Sequence, residues 1–266
     1  MIRGNALVTG ASRGIGSATA VRLAELGADT VVVHHRNSPE AAERTAEAVR
    51  QAGAEALCVA ADLEEADAVD AMFVELGRDL GSLDVLVANA AASSFKPLLD
   101  THDENIRRTS RITVNALLQC VRAMTSLTET GGAIVVVSGI DVSQAMVGHG
   151  LLGSMKAAAE TLSMYLAAEL GPRGFRVNAV RPGLTLTDSA RTYSERVFGD
   201  SAEFERLLVS LTPARRAGTP EDVANVIGFL CSEEGAWING QVLVADGGLS
   251  AVSPTDLITS GRRSDQ

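Results

Sequence analysis

The sequence predicts an α/β protein built on an open, doubly wound parallel sheet. Strand-like apolar runs and helical stretches alternate along the chain without a break. The first apolar run ends in three glycines spaced G-x-x-x-G-x-G (Gly10, Gly14 and Gly16), and an alanine-rich helical stretch follows at once. Apolar residues make up 46% of the 266 residues but aromatic ones only 3%. The core must therefore be Ala, Val, Leu and Ile, as suits a parallel sheet covered on both faces.

The elements follow in order. Ala6–Thr9 reads as the first strand, and 14–27 as the first helix. Thr30–His34 is the second strand, Ala41–Gln51 a helix and Ala54–Ala60 the third strand. Glu64–Leu80 is helical, and Asp84–Ala88 is the fourth strand. A long helix spans Thr109–Thr128, before the fifth strand at Ala133–Ser138 and an alanine-rich helix at Ser154–Leu170. Phe175–Val180, Glu221–Cys231 and Gln241–Val244 complete the series as strand, helix and last strand. Right-handed crossovers then place helices on both faces. Residues 1–250 read as a single domain. The segment Leu184–Pro213 is its least regular part and has the length of a lid. Residues 251–266 form a polar tail expected to fray.

Net charge is −10, which argues against a nucleic-acid or anionic-membrane partner. No apolar stretch reaches membrane-spanning length, and Met1-Ile2-Arg3 opens no signal-peptide pattern. Cys58, Cys120 and Cys231 are far apart, odd in number and not spaced as metal ligands. They fit buried thiols in a reducing cytoplasm.

A strand running through a glycine turn into a helix is an anion site. Backbone N–H groups point outward at the helix start, where the dipole favours negative charge. Gly10 permits the tight turn. Gly14 and Gly16 remove Cβ atoms where a pyrophosphate and the neighbouring strand come close. An ordinary glycine-rich turn is the alternative.

Taken together, these residues resemble the short-chain dehydrogenase/reductase family over almost the whole chain, from Arg3 to Gly248. The resemblance rests on Thr9-Gly10-x-x-x-Gly14-Ile15-Gly16, Asp62, Ala88-Asn89-Ala90-Ala91, Asn115, Ser138, Lys156, Pro182-Gly183-x-x-x-Thr187 and Asp246-Gly247-Gly248. It implies a Rossmann fold with seven strands in the order 3-2-1-4-5-6-7 and a nicotinamide cofactor. Ser12, Arg13 and Ile15 of the glycine loop would join in holding it. Asp62, with Leu63 beside it, would accept from the adenine amino group; capping the helix before Glu64 is the other use of Asp62. Asn89 would brace the loop beside the ribose. Pro182, Gly183 and Thr187 would hold the carboxamide. The second strand ends in His34-His35-Arg36-Asn37-Ser38, with no acid until Glu40. An NAD site wants an acid there. Arg36 and Arg13 instead offer guanidinium groups to a 2′-phosphate, which favours NADPH over NADH; a solvated Arg36 is the alternative. His34 and His35 lack a third ligand and are not read as a metal site.

The family's working set is Asn, Ser, Tyr and Lys, which assigns Asn115, Ser138 and Lys156 but finds Leu152 four residues before the lysine, where the Tyr belongs. Leucine donates no proton. Losing a positioned acid costs about 10²–10⁴-fold in rate. The enoyl-acyl-carrier-protein reductase branch places its Tyr seven residues before the Lys, and here that position is His149. Asn89-Ala90-Ala91-Ala92-Ser93 also resembles the type III enoyl reductases of that branch, alongside the 3-oxoacyl-acyl-carrier-protein reductases. Imidazole donates protons near neutral pH, so His149 assisted by Ser138 is the candidate donor, against a solvated loop histidine. Asp141 and the lid's Tyr193 are weaker candidates. Tyr165, nine residues after Lys156, falls on the opposite helix face.

Two functions follow. The first is an NADPH-dependent reductase of a carbonyl, enone or enoyl substrate, a small molecule or a carrier-bound acyl or polyketide intermediate. The second is a nicotinamide-binding homologue without the redox step, serving as a partner subunit or in cyclisation, dehydration or isomerisation. The resemblance implies a homotetramer or homodimer paired through the two long helices.

Overall fold

The computed structural model describes residues 1–92 and 94–252, so Ser93 and most of the expected tail lie outside the described residues. Seven parallel strands form one sheet in the order β3-β2-β1-β4-β5-β6-β7. They are β1 (Asn5–Val8), β2 (Thr30–His35), β3 (Glu55–Ala60), β4 (Val85–Ala88), β5 (Gly132–Val137), β6 (Phe175–Pro182) and β7 (Val242–Ala245). The inner strands are near-continuous apolar runs because both of their faces are covered. Successive side chains alternate between the two cores. In β1, Ala6 and Val8 join the cluster of Leu23, Ile227 and Leu230, while Leu7 joins that of Leu76, Met124 and Phe175.

Helices α1 (Gly14–Glu25) and α2 (Pro39–Gln51) cover the first face, and α3 (Ala66–Leu80) covers the second. The next helical stretch differs from its expected span. It begins at Asp103, as α4 (Asp103–Ser110), passes through a π turn at Arg111–Asn115, and continues as α5 (Ala116–Leu127). The polar sequence D-E-N-I-R-R-T-S carries no apolar periodicity. Its start is set instead by a capping box between His102 and Asn105. Helix α6 (Gly150–Leu170) starts four residues earlier than expected, a start hidden by the glycines of G-H-G-L-L-G.

The expected irregular lid is in fact two helices, α7 (Asp188–Phe198) and α8 (Ser201–Leu211). Each has its own cap: Thr187 Oγ1 accepts from Ala190 N–H, and Asp200 accepts from Ala202 and Glu203. Helix α9 (Pro220–Cys231) returns to the first face. The expectation of three buried thiols is corrected as well. Cys120 and Cys231 are buried, but Cys58 is exposed because β3 is an edge strand. No helix among the described residues is long and apolar enough to cross a membrane.

Candidate active site

The strand order reverses between β1 and β4, and a cleft of about 590 Å³ opens at the carboxyl ends of the strands there. That is where open parallel sheets take ligands. The glycine loop forms one wall. Gly10 and Gly14 have φ of 65° and 58°, a backbone conformation that favours glycine. Gly16 lies behind the loop; a Cβ there would sit 2.4 Å from the Gly10 carbonyl oxygen and 2.6 Å from Asn89 Nδ2. Asn89 Nδ2 donates to the carbonyls of Thr9 at 2.9 Å and Gly10 at 3.1 Å. It braces the loop from β4.

His34 is the residue that sequence reasoning missed. Gly10 N–H donates to His34 Nδ1 at 3.0 Å, so that nitrogen carries no proton. Nε2–H then donates to the Ala61 carbonyl at 3.0 Å. One neutral imidazole thus ties the glycine loop to the ends of β2 and β3. Burial pushes its pKa down to about 4 from 6.5, only partly opposed by the Ala61 bond. The unfolded chain binds this proton below pH 6.5 and the folded chain only near pH 4. The contribution is therefore complete above pH 6.5 and is lost as pH falls toward 4, amounting to about 3 kcal/mol. Denaturant titrations at pH 7 and pH 4.5 should show this loss, and His34→Gln should flatten the slope.

The far end of the cleft is lined by Arg13, Arg36, Asp62, Leu63 and Arg108. Arg13 and Arg36 are exposed. Arg108, also missed from the sequence, brings a third guanidinium, 3.5 Å from Glu64. Asp62 does not cap α3, which begins at Ala66. Its Oδ1 instead accepts from Glu64 N–H at 3.0 Å. Ser12, Ile15, Pro182, Gly183 and Thr187 also line the cleft. A Cβ on Gly183 would come within 2.6 Å of Asp246. The glycine turn into α1, the missing Cβ atoms and the flanking guanidiniums fit a dinucleotide.

At the other end, Ser138 follows β5 directly. Its hydroxyl is buried and has no hydrogen-bond partner. The Lys156 ammonium, on α6, donates to the Val137 carbonyl. Burial pushes its pKa down to about 8, against the pull of Asp141 and Glu160. Asn115 is not brought into the cleft. The π turn carries it to the outer surface, where its Oδ1 accepts from the Ser110 hydroxyl at 3.2 Å. Thr113, two residues earlier, has a buried, unpartnered hydroxyl and lines a small void of about 20 Å³ beside Lys156.

The early start of α6 makes His149 the residue just before the helix and sets it in the cleft wall with Leu152. His149 Nδ1 meets Asp141 Oδ2 at 3.0 Å, with both side chains largely buried. Nε2 is buried and has no partner. Asp141 is seated by two glycines: a Cβ on Gly139 would lie 2.4 Å from its Oδ1, and one on Gly153 2.7 Å from its carbonyl oxygen. Asp141 is thus a partner of His149. Tyr193 on α7 is buried and donates to the Val147 carbonyl at 3.2 Å, which commits its proton. Its ring packs edge-on to His149, with centroids 4.3 Å apart. Tyr165 is 59% exposed, on the face away from Lys156.

Known proteins resemble the chain throughout. The family model described as Enoyl-(Acyl carrier protein) reductase matches residues 10–250. The 1-cyclohexenylcarbonyl-CoA reductase of Streptomyces collinus is 37% identical over 257 residues, 96% of this chain and 90% of that protein. The angucycline C-6 ketoreductase LanV, solved with bound NADP, matches with a TM-score of 0.84 at 32% identity, over 94% of this chain and 96% of LanV. A 7α-hydroxysteroid dehydrogenase, solved with NADH and 7-oxo glycochenodeoxycholic acid, matches with a TM-score of 0.84 at 31% identity, over 92% of this chain and 93% of the other.

Proposed function

Since the chain belongs to the short-chain dehydrogenase/reductase family and is a nicotinamide-dependent oxidoreductase, we propose that it reduces a carbonyl, enone or enoyl substrate with NADPH, using His149 as proton donor in place of the family's tyrosine. The observation that carries this reading is the buried Asp141–His149 pair in the wall that also holds Leu152. With leucine at the tyrosine position and the proton of Tyr193 engaged, the unpartnered Nε2 of His149 is the donor that remains.

When bound, the nicotinamide supplies a hydride to a substrate carbon. The chain's own residues manage the charge and the proton. The Ser138 hydroxyl donates to the substrate oxygen as negative charge builds there. His149, as the imidazolium, gives its Nε2 proton to that oxygen in a ketone, or to the α-carbon of the enolate left by an enone or enoyl thioester. Asp141 accepts from Nδ1–H and holds the ring in one orientation. Leu152 and Tyr193 present apolar surface that keeps water from the reacting atoms. Lys156 would hold the ribose hydroxyls as the ammonium, the form its pKa of about 8 leaves dominant at pH 7. Asn115, exposed at the end of the π turn, takes no part in this reading.

Preference for NADPH rests on Arg13 and Arg36 and on the lack of an acid at the end of β2. Arg36→Glu should lower the ratio of NADPH to NADH affinity by about 10–100-fold, since losing a charge-assisted pair and adding repulsion costs about 1.5–3 kcal/mol. Titrations of both cofactors check this. The partner in this reading is a small-molecule or carrier-bound acyl substrate. The exposed Met164 and Tyr165 on α6 support pairing of copies through the long helices, as a homodimer or homotetramer.

The test is reduced-nicotinamide absorbance with 1-tetralone, 2-cyclohexen-1-one and 1-cyclohexenylcarbonyl-CoA. One NADPH consumed per product formed is the expected result. Product without nicotinamide consumption, or tight NADPH binding with no turnover on any of the three, overturns the reductase.

A further inference from the structure

The Asp141–His149 pair has a second chemical use. A carboxylate only accepts hydrogen bonds, so the 3.0 Å contact places a proton on Nδ1. In the neutral ring Nε2 is then a bare acceptor. It is held in one orientation by Asp141 on one side and the Tyr193 ring on the other. A tyrosine that donates a proton is a poor base once reprotonated, whereas an imidazole gives and takes protons near neutral pH. The Ser138 hydroxyl in the same cleft is likewise unpartnered. A proton acceptor and a separate oxyanion donor are the two groups that enolisation requires.

We propose that the protein also catalyses nicotinamide-independent exchange of the α-protons of carbonyl compounds, with neutral His149 as the base and Ser138 holding the enolate oxygen. The proposal rests on the reading of His149 as the proton carrier of the cleft. Nε2 takes a proton from the α-carbon. The electrons of that C–H bond form the new C=C bond, and the carbonyl π pair moves onto oxygen, where Ser138 O–H donates. Return of a solvent-exchanged proton from Nε2 to the α-carbon restores the ketone. With a β,γ-unsaturated carbonyl, return at the γ-carbon moves the double bond into conjugation. No oxidant or reductant enters either sequence. The carbonyl oxygen and the α-carbon share one neighbouring atom, so a ring placed to protonate the first is in reach of the second. Asp141 acts as a positioning residue, because it fixes which nitrogen is bare.

The experiment incubates the full chain with 1-tetralone in deuterated buffer without nicotinamide and follows loss of the C2 proton signal by NMR. Exchange should run at least about tenfold above both buffer and His149→Ala, and Asp141→Asn should slow it by about tenfold or more while NADPH affinity is retained. Exchange at the buffer rate, or exchange unchanged in His149→Ala, overturns the proposal. NADPH oxidation with the same ketone is measured separately. If oxidation proceeds without exchange, the reductase reading stands and this proposal falls. If exchange proceeds without oxidation, the proposal stands and the reductase reading falls.

Discussion

His149→Ala should slow NADPH-dependent turnover by about 10²–10⁴-fold while leaving NADPH affinity within about threefold. The first half follows from the loss of the positioned acid. Alanine removes Nε2 and leaves no substitute nearby. Leu152 carries no proton, and the Tyr193 hydroxyl donates to Val147 and is pushed above its ordinary pKa by burial and by Asp141. Asp141 would itself lose its partner. The second half follows from distance along the fold: the glycine loop and the guanidiniums that would hold the cofactor are tied to β1, β2 and β4, whereas His149 sits before α6. Steady-state rates and a fluorescence titration on the same preparation separate the two effects. A rate within about threefold of the parent would remove His149 from the chemistry.

Gly16→Ala has the largest expected effect on the cofactor. The new Cβ would lie 2.4 Å from the Gly10 carbonyl oxygen and 2.6 Å from Asn89 Nδ2. Neither atom can give way alone. Gly10 is bonded to His34 through its N–H, and Asn89 Nδ2 is shared between the carbonyls of Thr9 and Gly10. The whole loop must move, and with it the start of α1. Overpacking of this kind costs about 1–3 kcal/mol. At tenfold per 1.4 kcal/mol, NADPH affinity should fall by about 10–100-fold. An affinity within about threefold of the parent would mean that the loop is kept for packing.

The sheet was legible because its signals are local and redundant. Strands β1, β4 and β5 each hold a short apolar run between turn residues, and the glycine loop marks the start of the first helix. Strand order came from family resemblance, since no local feature of a strand names its neighbour. The misplaced helices are those without apolar periodicity. The polar α4 is set by its cap, and the start of α6 is masked by glycines, which favour many conformations. The same cause obscured the site. His149 and Asp141 are eight residues apart on different elements, and only the early start of α6 brings their side chains together. His34 read as the end of an apolar strand, because its two partners lie 24 and 27 residues away. Asn115 matched a motif, but the π turn directs its side chain outward, a backbone detail that residue identity does not encode.

In the proposed mechanism the proton donor has moved from the tyrosine position to His149. This relocation is tested most directly by the turnover of a double variant, His149→Ala with Leu152→Tyr, against His149→Ala alone. The two start from the same disabled enzyme and differ only at the residue one turn before Lys156. The tyrosine should restore turnover by about tenfold or more, because Lys156 and Ser138 remain in place to serve it. A double variant that binds NADPH as the single one does, yet turns over no faster, would mean that the donor has not moved from that position.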